Sequence, residues 1–196
     1  MKKNYKTMML LPLIFVCFLL SGCDSINVPL NYKPSIIGLN KIQKSKSVTV
    51  GEVVNGTGND DKTIVFGCAA NNYIATTDQS ITKVLRLATN KALVQAGYRS
   101  TENARYILQA NLLKIKAEKL PAILFQNNSV YITTIQMEFS LYDKVSKTQV
   151  WDDVYNGVGK VRTGAQDGIA ISVAFNRAID GLLKQLINSV TFRKSF

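Results

Sequence analysis

Between Val130 and Tyr142 the chain alternates. Tyr131, Ile135, Met137, Phe139 and Leu141 fall on one side, and Thr134, Gln136, Glu138 and Ser140 on the other. A period of two residues marks a strand with one buried and one wet face. So long a strand requires partner strands, and something apolar must cover its inner face. Asp143 to Thr148 is polar turn chemistry, and Val150 to Val158 reads as the return strand, so the pair predicts a hairpin.

The cover is legible as helices. Ile81, Val84, Leu85, Ala88 and Ala92 recur at helical spacing. They predict a helix over Thr77–Ala96, capped by Thr77 or Asp78 and stopped at Gly97. A second helix runs from about Ala165 to Val190, with Phe175, Ile179, Leu182, Leu183, Leu186, Ile187 and Val190 on its apolar stripe. Gly168 and Gly181 each weaken it by about 1 kcal/mol relative to Ala, and close packing would be the reason to keep them. Val48–Val54, Thr63–Phe66 and Tyr106–Ile115 read as further strands. The first two flank the turn-rich Asn55–Asp61 and either form a hairpin or include one irregular segment. The order β-β-α-β-β-β-α predicts an α+β fold of two layers, an antiparallel sheet covered on one face by two helices. No internal repeat or low-complexity segment is visible.

Lys2, Lys3 and Lys6 precede an apolar run, Met8 to Leu20, and then Leu20-Ser21-Gly22-Cys23. The run is short of the ~20 residues a membrane span needs and suits a signal peptide. Leu-Ser-Gly-Cys in this setting resembles the bacterial lipobox. The resemblance implies removal of residues 1–22 and acylation of Cys23, with palmitate-type chains holding the protein to a membrane on the periplasmic side. The competing readings are an uncleaved anchor or a plain secretory signal. Asp24 resembles the signal that keeps enteric lipoproteins at the inner membrane, which favours that membrane over the outer one. Residues 23–45 read as a flexible tether, broken by Pro29 and Pro34, with charge from Lys41, Lys44 and Lys46 that either lies on anionic headgroups or only solubilises the linker. Residues 46–196 read as one periplasmic domain.

The whole chain carries a formal charge of +11. Loss of the signal peptide removes three lysines and no acid, leaving +8. Such a surface favours anionic partners, phospholipid or lipopolysaccharide among them, though a merely solvated basic surface explains it equally. Nucleic acid is not expected outside the cytoplasm. With Cys17 removed and Cys23 acylated, Cys68 is the one free thiol, which excludes an intramolecular disulfide. In the apolar Val65–Ala70 it reads as a small buried residue. There is no histidine, so thiol–imidazole catalysis and typical zinc sites are excluded. No catalytic residue, metal ligand or cofactor is expected.

Gly157-Val158-Gly159-Lys160-Val161-Arg162-Thr163-Gly164 stands between a strand and a helix, where phosphate-cradling loops occur. Arg162 replaces the glycine of the dinucleotide fingerprint, and Val161 follows Lys160 where a P-loop needs Ser or Thr. Both motifs fail. Lys160 and Arg162 remain candidates to grip an anion beside the helix start; otherwise the segment is only a connection. Asp152 and Asp153 are adjacent on a strand, point to opposite faces, and form no carboxylate pair. Trp151 and Tyr155 share Asp153's face and read as packing residues.

The lipobox, the helix ending Leu93-Val94-Gln95-Ala96-Gly97-Tyr98, the strand Tyr106–Ala110, the late hairpin and the C-terminal helix together resemble the YajG-like family of bacterial lipoproteins. At the level of fold the chain is also similar to LptE, the lipoprotein of lipopolysaccharide assembly. These resemblances imply a two-layer α+β domain and no catalytic residues. The expected function is a membrane-anchored, non-enzymatic binding or accessory module that docks on another envelope component. The alternative is a carrier or assembly factor for an anionic lipid or glycolipid. An enzyme is the third reading. A large apolar cavity between sheet and helices would favour the carrier, a flat, partly apolar exposed sheet face or helix groove would favour docking, and a cleft with convergent polar groups would revive the enzyme.

Overall fold

The computed structural model describes residues 26–33, 38–39, 41, 46–68, 71–120 and 128–196. The alternation of Val130–Tyr142 becomes β6 (Ser129–Asp143), in which every second residue from Tyr131 is buried. It pairs antiparallel with β5 (Tyr106–Leu120) on one side and β7 (Thr148–Thr163) on the other. Both neighbours are longer than their apolar runs suggested, because a strand's outer positions accept polar residues freely. The expected two-layer α+β architecture is present: a seven-stranded sheet with helices packed on one face.

The sheet is mixed rather than antiparallel throughout. β2 (Val48–Asn55) and β3 (Thr63–Cys68) do not form a hairpin. Both run parallel to β5 along the same edge, Val48–Asn55 beside Tyr106–Leu112 and Val65–Cys68 beside Lys116–Lys119. They are two lengths of one interrupted strand, and the turn-rich residues between them make an excursion. Asp61 in that excursion accepts from the Thr82 backbone N–H at 3.1 Å and from the hydroxyls of Ser80 and Thr82, which ties the turn to the next helix.

β3 finds its antiparallel partner in β4 (Asn71–Thr77), a strand the helical reading of Thr77 concealed. Helix α1 therefore begins later, at Ile81–Gln95. Ser80 is its N-cap, its hydroxyl accepting from the Lys83 N–H at 3.1 Å. Gly97 ends it with φ +95°, a left-handed conformation that glycine adopts without a Cβ clash.

The expected free tether is corrected over residues 26–30. β1 (Ile26–Val28) pairs parallel with β4, Ile26 opposite Ala75. Val28 and Leu30 are wholly buried. Asp78, read as a helix cap, instead accepts from the Leu30 N–H at 2.7 Å. Ser172 on the last long helix donates to the Pro29 carbonyl at 2.5 Å. Apolar residues spaced through a proline-broken segment are enough to make it the edge of the core.

Helix α2 (Asp167–Asn188) lies over β6 and β7, with α1 beside it over β2. A short helix α3 (Val190–Lys194) buries Phe192 against Trp151 and Tyr98, at ring centroid distances of 5.0 and 5.9 Å. Trp151 also stacks on Tyr155, so both aromatics are packing residues as expected. Cys68 is half-buried and packs against the core.

Candidate functional site

Gly157 and Gly159 are not in a loop. They lie in the middle of β7 on its inner side, paired with Ile135 and Thr133 of β6. A Cβ on Gly157 would stand 2.0 Å from the Ala178 carbonyl oxygen, and one on Gly159 1.8 Å from that of Ala174. The glycines let α2 rest directly on the strand, which explains them without a phosphate. Gly168 does the same at the helix start, where a Cβ would meet the Asn27 carbonyl oxygen at 2.0 Å. Gly181 has open space and no such reason.

Lys160 and Arg162 consequently fall on the other side of β7. They are exposed on the outer face of the sheet, away from α2, and do not flank its N-terminus. Asp152 and Asp153 do point to opposite faces. Asp152 accepts from Gln149 Nε2 at 2.8 Å, and Asp153 from the Val154 N–H. Cys23 and Asp24 lie outside the described residues. Among the described residues no group of three or more Cys, Asp or Glu could hold a metal ion.

That outer face is the surface with most to offer. Its side chains line up in rows set by strand register. Val54, Asn111, Glu138 and Val154 cross β2, β5, β6 and β7. Ile74, Val65, Lys116, Thr134 and Val158 cross β4, β3, β5, β6 and β7. Val54, Ile74 and Val158 are 57%, 67% and 60% exposed, high for β-branched apolar residues on a sheet. A hollow of about 280 Å³ on this face is lined by Glu52, Gln109, Asn111, Glu138 and Ser140. Charge divides along it. Glu52, Glu138 and Asp152 stand toward the end where β5 begins, and Lys114, Lys116, Lys160 and Arg162 toward the end where β5 finishes, with Glu118 among them and paired with Lys116 at 2.7 Å.

At that latter end the two layers are tied together. Asp167, in the first turn of α2, accepts from Tyr131 Oη at 2.5 Å and from Lys119 Nζ at 2.9 Å. Burial pushes the Asp167 carboxyl up, but the Tyr131 hydroxyl and the Lys119 ammonium outweigh it and hold it below the usual range. Burial, with the same carboxylate, raises the Tyr131 phenol. A carboxylate kept charged at a helix N-terminus is favourably placed. The trio joins β5, β6 and α2, and reads as a structural clamp.

The sequence named Lys160 and Arg162 but missed Lys116 and the exposed valines as their companions. The available signal was the outward position of each on its own strand; the pairing of β3 with β5 was not available.

No family model matches the chain, and no curated protein does. Solved structures do. The chain is similar to protein XCC0632 from Xanthomonas campestris, of family DUF330, at 14% identity over 87% of this chain and 96% of that one, with a TM-score of 0.60. CT253 from Chlamydia trachomatis aligns at 8% identity over 74% and 99% of the two chains, TM-score 0.48. The lipoprotein GNA1162 from Neisseria meningitidis aligns at 12% identity over 62% and 87%, TM-score 0.37. The likeness to XCC0632 is one of fold, and fold alone assigns no activity. Among the described residues no helix is long and apolar enough to cross a membrane.

Proposed function

We propose that this chain is a periplasm-facing envelope lipoprotein, acylated at Cys23, that serves as a non-enzymatic binding or accessory module through the uncovered face of its sheet. The observation that carries the binding surface is the pair of cross-strand rows. Exposed Val54, Ile74 and Val158 stand in a polar frame on the one sheet face that no helix covers among the described residues. The anchor rests on the lipobox and on the YajG-like resemblance, and Asp24 is the proposed sorting signal for the inner membrane. The carrier reading is weaker. Where α2 meets β7 the two backbones touch through Gly157 and Gly159, which leaves no room for a lipid between the layers there.

Two measurements test the reading. Metabolic labelling with a fatty-acid analogue should mark the wild type and not Cys23→Ser; equal labelling sinks the anchor. A photo-crosslinking residue at Val158 should trap one discrete envelope component in intact cells, and Val54→Arg should abolish that product while leaving the melting temperature unchanged. The same probe at Leu87, exposed on α1, should not trap it. Identical products from Val158 and Leu87 would remove the sheet face from consideration.

A further inference from the structure

Only Asp24 and Ser25 separate Cys23 from Ile26. Three residue steps span at most about 11 Å. Ile26 is already paired in the sheet, and Val28 and Leu30 are buried in the core. An acyl group on Cys23 therefore draws the folded domain onto the bilayer; there is no long spacer to hold it away.

Strand direction says which end is drawn. β1 runs parallel to β4, β4 antiparallel to β3, and β3 parallel to β5. The start of β1 thus points toward the end of the sheet where β5 and β7 finish and β6 begins. Helix α2 starts there as well: Ile26 lines one groove with Gln166, Asp167 and Ile169.

We propose that this end of the domain is a membrane-contact surface that lies on anionic phospholipid headgroups, through Lys160 and Arg162 with Leu120 and Ile169. The inference rests on the acylation of Cys23 proposed above. Lys116 is paired with Glu118 at 2.7 Å and Lys119 with Asp167 at 2.9 Å. Lys160 and Arg162 have no carboxylate partner among the described residues and are exposed, so their charge is available to phosphates. Leu120, 47% exposed in the row of Arg162, and Ile169, 49% exposed in the first turn of α2 at the same end of the domain, can enter the headgroup layer. The opposite end is basic too, with Lys144 and Lys147 in the β6–β7 turn. Position of β1, and not charge, selects the pole; charge then makes the selected pole suited to an anionic surface.

The test uses the mature acylated protein in vesicles of phosphatidylethanolamine and phosphatidylglycerol. An environment-sensitive fluorophore is placed on Leu120→Cys or on Val145→Cys, in a Cys68→Ser background; both sites are exposed enough to tolerate it. Acrylamide should quench the probe at position 120 severalfold less than the probe at 145. That protection should fall when phosphatidylcholine replaces phosphatidylglycerol, and in the double variant Lys160→Glu, Arg162→Glu. Equal quenching at the two positions on protein whose mass shows acylation overturns this inference and leaves the lipoprotein reading standing. Protection at 145 instead overturns the choice of pole. A mass without an acyl group overturns both proposals.

Discussion

Gly159 of β7 lies so close beneath Ala174 of α2 that a methyl group on it would reach within 1.8 Å of the Ala174 carbonyl oxygen. Gly157 and Ala178 repeat the relationship one helical turn on. The Gly-Val-Gly of the strand and the small residues four apart on the helix are two halves of one contact, and the long helix takes its seat on the sheet from them.

Gly159→Ala should therefore destabilise the domain by about 1–3 kcal/mol or more, since backbone rather than a flexible side chain must give way. Gly181→Ala, in α2 with nothing near its Cβ, should stabilise by up to about 1 kcal/mol through helix propensity. Urea denaturation midpoints should move in opposite directions. Parallel shifts would mean α2 does not sit on β7 as described.

Burial of β6 can be probed residue by residue. Met137 and Phe139 are fully buried, so Met137→Asp or Phe139→Asp should cost several kcal/mol by placing an unpaired charge in the core. Glu138→Lys lies on the outer face and should stay within about 0.5 kcal/mol. Equal melting temperatures for the three variants would show the register to be wrong.

Residues 26–30 belong to the sheet and core, and truncating a side chain there should show this. Leu30→Ala should cost about 2–5 kcal/mol, the range for a buried leucine. A free tether would give no change, and differential scanning calorimetry distinguishes the two.

Acid should weaken the β6–β7 turn in a defined window. Arg105 Nε donates to both Asp143 oxygens at 3.0 Å, and the Val145 N–H adds a bond at 2.9 Å. The Arg105 guanidinium holds the Asp143 carboxyl down at about 2, against an ordinary 3.8. Because the folded value is the lower one, the contribution is complete above 3.8 and is lost as pH falls toward about 2. The stability difference between wild type and Asp143→Asn should accordingly shrink across that interval. A difference that holds constant through it would mean the ion pair does not form.

Sequence alone determined the periodic elements. The alternation at Tyr131–Leu141 appears as a strand buried on the predicted side, and the stripe from Phe175 to Ile187 appears as a buried helix face. These patterns are local: each is a statement about which way neighbouring side chains point. Tertiary structure decided what is not local. Ile26 meets Ala75, and Val65 meets Lys116, across some fifty residues of chain. Only those pairings turned the start of the expected tether into β1, set β2 and β3 in line along one edge of β5, and gathered Lys116, Lys160 and Arg162 on one face. The glycines show the reason most plainly. Gly157 and Gly159 carry no side chain whose period could be read, and their role exists only because another backbone occupies the space a Cβ would need.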